Sequence, residues 1–531
     1  MVKSNVIAPK ISEWGDVAIL AIAVCLFEML ALRLPGAFPD DAFISFRYAE
    51  HLADGWGLAF NPGSSPVEGY SNFLWVLILA GCRALGFDVP TAATTLSLAF
   101  GLAVVALAWG LFRKRGYSGF RLLVPMVLAA TCGPLVLYSA SGMETSLHAL
   151  LLLGIVAAVS RIAASPNVWA FVLFSVLATL LALNRPEGVL APPLLIFFLY
   201  WQRPADSHRR RYRYGLGSSL VLFLLFWGAY SIWRVAYFGS FWPTPFLSKG
   251  GFTTSLLEAI RTNIQFFFSR HNNHFAPLGY YFGLLFLLAS MNFLTRETRK
   301  PEQAADWIGL ILFLIYGAAY LAFVDWMPGM RYHAPLLVLL FLPTAGLSGK
   351  IIDSFRHYGE KRRAWASWVV VLTVCLMGLW TTAQLELDVA SLTSTKQTYA
   401  AVGQWLDREL PANAWIVVSD VGIIPYYARR PTLDSNPRSL TDAHMARHGL
   451  DTDYIYSHNP AALLFISFSS AEPRFYSQHE AIVSDPRFSA DYRRVGVARM
   501  EWYLDRSIWV YLRNDIPSPP GAVEQFPKGL F

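Results

Sequence analysis

The run VAILAIAVCLFEMLALRL, Val17 to Leu34, is almost unbroken apolar chain, and three residues further on the sequence reads FPDDAFISFRY, Phe38 to Tyr48. About 20 apolar residues suffice to cross a bilayer, so Asp40 and Asp41 stand where a membrane span gives way to a polar, aromatic loop. Two adjacent carboxylates at a membrane surface lose hydration and repel each other. One of the pair is thereby pushed toward a neutral pKa and suits a general base acting on a lipid-linked substrate. The same residues also fit a helix start, with Asp40 as the cap and Asp41 favoured by the helix dipole.

Composition places the rest of the chain in the same solvent. In 531 residues, 55% are hydrophobic and 15% charged, with a mean hydropathy of +0.39, a balance that belongs to polytopic membrane proteins and not to soluble ones. The formal charge of +7 is carried by basic clusters between apolar spans, the pattern of cytoplasmic loops, which argues against a nucleic-acid partner. Cys25, Cys82, Cys132 and Cys375 lie in apolar segments without metal or disulfide spacing.

The first span, after Lys3 and Lys10, lacks a small-x-small cleavage site before the Asp pair and reads as an uncleaved anchor with its N-terminus inside. Further spans are expected over Thr91–Phe112, Leu122–Tyr138, Thr145–Ile162, Trp169–Leu183, Val189–Trp201, Leu216–Tyr237, Ala276–Leu294, Trp307–Val324, Pro335–Leu347 and Trp365–Thr382, about eleven in all. Alternating from an inside N-terminus puts Arg113–Arg115, Arg209–Arg213, Arg296–Lys300 and Lys350–Arg363 on the cytoplasmic side, as the positive-inside rule asks. Asn72–Phe87 then lies at the outer surface without crossing, like Ala42–Ala53.

That topology gathers the unusual polar motifs on the outer face: Phe38–Ser71, Ser139–Glu144, Asn184–Gly188, Tyr237–Asn273 and Asp325–His333. The chain divides into a membrane domain over 1–384, with its first outer loop at 38–72, and an extracytoplasmic α/β domain over 385–531. In the latter, Trp415–Ser419 and Ala461–Ser467 read as buried strands and Lys396–Glu409 and Thr441–His448 as helices. The expected fold is therefore an α-helical, multi-pass plasma-membrane protein with a C-terminal α/β domain facing outward.

Several motifs carry two readings. Ser141 and Glu144 have the spacing of a capping box, and Pro186-Glu187 that of a helix opening. Lys249 and Arg331 sit in aromatic, proline-interrupted outer loops, suited to a phosphate or to snorkelling toward headgroups. His333 reads as an interface residue or as a direct participant.

Taken in order, Asp40 to Tyr48, Phe60-Asn61-Pro62-Gly63, Val67 to Trp75, Gly142-Met143-Glu144-Thr145, Arg185-Pro186-Glu187-Gly188, Asp325 to Arg331 and Asp420 to Tyr427 resemble the GT-C membrane glycosyltransferases of the mycobacterial terminal arabinofuranosyltransferase (AftB-like) type. The resemblance spans nearly the whole chain. It implies an inverting transfer of a sugar, arabinofuranose or a similar pentose, from a polyprenyl-phosphate donor to a cell-envelope glycan or glycoprotein on the outer face. An aspartate of the first outer loop is the base in such enzymes, a role that falls on Asp40 or Asp41, with Asp40 preferred as the first acid. Lys249, Arg331, Arg185 and His333 would then hold the donor phosphate, and Glu68, Glu144, Tyr70, Trp326, Asp420 and Tyr426 the sugar or acceptor.

No spacing demands a cofactor, although Asp40, Asp41 and Glu144 offer hard oxygen ligands for a divalent cation. The alternative function is a transporter or flippase of a lipid-linked sugar. Such proteins place ionisable groups near the bilayer midplane and carry internal repeats; here the spans hold few charges, Glu28 chief among them, and no repeat is evident.

Overall fold

The computed structural model describes residues 9–34, 36–202, 209–249, 304–320, 329–354, 360–436, 439–500 and 506–517, with Met327 and isolated positions of 257–290. Contacts gather these residues into two compact units: 1–35, 94–230 and 252–388 form the first, and 36–93, 231–251 and 389–531 the second. The second unit thus draws chain from both sides of the expected boundary at 384/385.

The first unit is helical. Among the described residues, four helices are long and apolar enough to cross a membrane: Trp14–Leu32, Val89–Lys114, Thr145–Ala164 and Arg210–Phe238. Their outward positions remain apolar, with Ile22, Leu32, Val221 and Leu225 exposed, as lipid requires. The expected span Leu122–Tyr138 is instead two helices, Phe120–Ala130 and Gly133–Ala140, bent by 49°. Pro134 explains the break, since it lacks the N–H that would continue the first helix and is tolerated in the first turn of the second. Gly133 turns a bare backbone to the side chains of Thr381 and Leu385, where a Cβ would stand 2.9 Å from Thr381 Oγ1.

Other expected spans fall on shorter helices. Val168–Asn184, Pro186–Tyr200, Trp307–Tyr320 and Ala334–Gly346 are apolar helices of only 10–17 residues, or about 15–26 Å of rise. The second of these opens as a 3-10 turn, Pro186–Leu190, before Ala191–Gln202. Trp365–Thr382 belongs to the 50-residue helix Glu360–Glu409, and Ala276–Leu294 lies largely outside the described residues. An ion pair between Asp16 and Arg113 joins the start of the first span to the end of Val89–Lys114, so these two ends share one face.

The second unit is built around a five-stranded sheet. Strands β1 (Ile416–Val418), β2 (Thr432–Asp434), β3 (Ala462–Ser467), β4 (Tyr492–Arg499) and β5 (Ser507–Arg513) run in the order β2-β1-β3-β5-β4. β1 pairs parallel with β2 and β3, and β5 antiparallel with β3 and β4. β3 is buried along its whole length, which is why its sequence is apolar at every position but the last. Val417, Leu433, Phe465, Trp509 and the helical Met445 and Ile455 form the core. The helix Ile423–Ala428 carries the chain from β1 to β2, after which it returns past β1 to β3, leaving a topological switch point at the carboxyl ends of β1 and β3, where open α/β sheets bind ligands.

Two further helices belong to this unit, Asp40–Ala53 and Phe73–Ala84. The latter, at 12 residues, rises only about 18 Å and is too short to cross. Arg47 fastens the former: its Nε donates to the carbonyl of Phe60 and its Nη atoms to those of Pro425 and Arg430. Asn61 clips the same loop to the sheet edge, exchanging hydrogen bonds with both the N–H and the carbonyl of Thr432.

Candidate functional site

Asp420 lies two residues past the carboxyl end of β1, at the switch point, and Asp40 and Asp41 meet it there. Asp40 is the first residue of its helix, with Pro39 in the capping position and no side-chain cap, so the expectation that Asp40 caps its own helix is corrected. Its carboxylate instead serves the helix Ile423–Ala428. Oδ2 accepts from the Gly422 N–H at 2.9 Å and Oδ1 from the Ile423 N–H at 2.7 Å, two of the donors that a helix start leaves unsatisfied. Glycine is required at 422, because a Cβ would fall 1.9 Å from the Asp40 carbonyl oxygen and 2.6 Å from its Cγ.

Asp40, Asp41 and Asp420 are all half-buried. Burial, then the charges of Asp420 and Asp41, push the Asp40 carboxyl well above the usual carboxylate range, against the pull of the two backbone donors. Burial also raises Asp420, with Asp41 adding to it, while the Tyr399 hydroxyl and Arg506 act in the other direction. The Tyr399 hydroxyl donates to Asp420 Oδ2 at 2.7 Å. Arg506 directly precedes β5, whose Ser507 pairs with Ser467 at the end of β3, so the topology brings it to the same edge. Tyr399 and Arg506 were not read from the sequence. Asp420 was singled out by the ordered motif Asp420 to Tyr427, whose resemblance implied an acceptor role and not a place beside the Asp pair.

Other expected ligands of the second unit have contacts of their own. Glu68 forms a buried ion pair with Arg234, Oε2 to Nε at 3.1 Å. Tyr70 is buried against the rings of Tyr48 and Phe238. The Tyr426 hydroxyl donates to Glu50 Oε1 at 2.6 Å. Lys249 ends the short helix Thr244–Lys249, and its side chain, like all of Trp326, lies outside the described residues.

A second polar cluster forms inside the first unit. Glu144 Oε1 accepts from Arg185 Nε at 3.0 Å and from Arg331 Nη2 at 3.1 Å, with all three side chains buried. Glu187 stands 3.7 Å from Arg185 Nη1 and accepts from the Tyr320 hydroxyl at 2.6 Å. The Tyr332 ring lies 5.4 Å from the Arg185 guanidinium and 5.9 Å from that of Arg331. His333 is buried, its ring edge-on to Tyr320. Met330, just before Arg331, holds a left-handed backbone (φ 55°), an uncommon conformation for a non-glycine residue. Arg185 Nη1 and Nη2 are buried without a hydrogen-bond acceptor among the described residues.

This arrangement corrects two expectations. The capping box is not formed: the Ser141 hydroxyl bonds back to the Tyr138 carbonyl, and the helix Thr145–Ala164 has no side-chain cap, because Glu144 is drawn to the arginines. Glu144, expected as a candidate cation ligand, is held between two guanidiniums instead. Among the described residues, no three His, Cys, Asp or Glu side chains are arranged to hold a metal.

Comparison with solved structures decides the fold. ArnT of Cupriavidus metallidurans superposes over 96% of this chain and 99% of its own in the apo state, at a TM-score of 0.56 and 13% identity. Its complex with undecaprenyl phosphate gives 95% and 99%, 0.56 and 14%. The archaeal oligosaccharyltransferase AglB of Archaeoglobus fulgidus, solved with an inhibitory peptide and a dolichol-phosphate, matches 86% of this chain and 70% of its own, at 0.60 and 11%. The chain has a GT-C fold. Both neighbours are GT-C glycosyltransferases of the membrane, and at these identities the likeness is one of architecture. A family profile described as a domain of unknown function (DUF8728) matches residues 387–511. No curated protein matches the chain.

Proposed function

We propose that this GT-C chain is an inverting glycosyltransferase that moves a sugar from a polyprenyl-phosphate donor to a glycan or glycoconjugate on the outer face of the plasma membrane. The observation that carries the reading is the half-buried meeting of Asp40, Asp41 and Asp420 at the switch point. Burial and the neighbouring carboxylates raise the proton affinity of Asp40 above that of an ordinary carboxylate, which suits a general base. Neighbours solved with undecaprenyl phosphate and dolichol-phosphate support the donor class.

Asp40 is the base, held in place by the Gly422 and Ile423 N–H groups. It takes the proton of the acceptor hydroxyl as that oxygen attacks the anomeric carbon. The carbon–oxygen bond to the phosphate breaks on the opposite face, its electron pair leaves with the phosphate, and the anomeric configuration inverts. Lys249, which belongs to the same unit as Asp40, receives the phosphate, the group on which charge grows. The acceptor rests on the domain over 385–531, outside the membrane domain over 1–384. A pentose such as arabinofuranose is the sugar favoured by the ordered motifs. The deciding experiment offers purified protein a panel of synthetic polyprenyl-phosphate sugars and reads product by mass and anomeric configuration. A product of retained configuration, or none with any donor, would refute the mechanism.

A further inference from the structure

Lys396 is a half-buried cation that forms no hydrogen bond or ion pair among the described residues. Its ammonium lies 4.2 Å from the centroid of the Phe38 ring. Phe38 is buried and comes two residues before Asp40. One helical turn beyond Lys396, Tyr399 holds Asp420. Lys396 thus borders the carboxylate cluster from two directions in the chain without being bound to any of its members. A charged amine removed from water ordinarily takes an anionic partner, and an aromatic face is a weaker substitute that a long, flexible stem leaves readily.

The proposed reaction brings an anion to this neighbourhood. The base and the departing oxygen lie on opposite faces of one anomeric carbon, and in inverting sugar transfer by glycosidases the groups on those faces stand roughly 6.5–9.5 Å apart. The phosphate must therefore arrive about a sugar's width from Asp40. We infer that Lys396 is a ligand of the donor phosphate, its ammonium moving from the Phe38 ring to a non-bridging phosphate oxygen and countering the charge that grows as the glycosidic bond breaks. This rests on the polyprenyl-phosphate reading and adds to it a cation, from the long helix before the sheet domain, that the sequence motifs did not single out.

The test measures binding of undecaprenyl phosphate and of undecaprenol to the full chain in detergent, beside its thermal stability. Wild type should prefer the phosphate. Lys396→Met keeps the stem and removes the charge, and should weaken phosphate binding at least about tenfold while leaving undecaprenol unaffected. Lys396→Arg should stay within about threefold of wild type, because the charge is retained. Phe38→Leu removes the resting place and leaves the hook, so phosphate binding should persist. If Lys396 is only a clip on Phe38, Lys396→Met and Phe38→Leu will lower stability alike and leave phosphate binding intact, which overturns the inference alone. A wild-type protein that does not distinguish the phosphate from the alcohol overturns the donor reading and this inference together. Lys396→Gln replaces the Met variant if the latter does not extract as a monodisperse protein.

Discussion

Glu144 meets two guanidiniums within 3.1 Å, whereas the nearest charges to Asp40 include two other carboxylates. The first cluster brings two acids, Glu144 and Glu187, to two bases, Arg185 and Arg331, in a buried place. The second brings three acids together where water still reaches them. Balanced charge in a dry interior braces a structure, and only removing one partner exposes its importance. Like charges held together beside solvent weaken the fold slightly and are retained where a shifted pKa has a use. The contrast separates a residue that holds the molecule together from one proposed to act on a substrate, although the ordered sequence motifs contain both.

The largest expected effect would establish the active side of this contrast. Asp40→Asn should lower turnover at least about a hundredfold while the protein still extracts intact and binds donor; near wild-type product formation would remove Asp40 as the base. Glu144→Gln attacks the bracing side. It leaves two buried guanidiniums sharing a neutral amide and should destabilise the first unit by about 3–5 kcal/mol, measured by thermal or denaturant unfolding in detergent. An unchanged melting temperature would mean that the pair does not brace. Asp420→Asn sharpens the comparison through pH. Asp420 raises the Asp40 pKa, and the base works only when deprotonated, so losing this like charge should move the acid limb of kcat to lower pH. A limb that stays in place or moves upward contradicts the coupling. The smallest effect is that of Tyr426→Phe. Losing the hydroxyl that donates to Glu50 should remove about 1 kcal/mol of stability with little change in acceptor KM, and a large rise in KM would return Tyr426 to the acceptor site.

What the sequence made legible was whatever has a short period or a local signature. The long apolar runs from Thr91, Thr145 and Leu216 became helices with ends displaced by a few residues, and Ala461–Ser467 became a strand. The Asp pair stood out because charge next to a span is costly. Less legible were partners fixed by tertiary contact. Nothing near Asp40 announces that its two oxygens will be taken by backbone 382 residues away. Nothing near Glu144 announces Arg331, a pairing that cancels a plausible capping box. The break at Pro134 was readable in principle, since a proline within an apolar run marks a probable helix boundary. Lys396 was hidden for another reason: a lysine in an amphipathic helix ordinarily faces water, and only the placement of Phe38 makes this one unusual.

The clasp of Asp40 on Gly422 and Ile423 also sets a schedule. At roughly 5–20 residues per second, a ribosome that has made Asp40 works for on the order of half a minute before the backbone that receives its carboxylate exists. Through that interval the loop can be threaded, inserted and even partly folded, but its acids have not met. The carboxylate cluster therefore cannot assemble until the last quarter of the chain arrives, and any message truncated before that point yields a membrane-embedded protein whose Asp40 lacks the backbone that receives it.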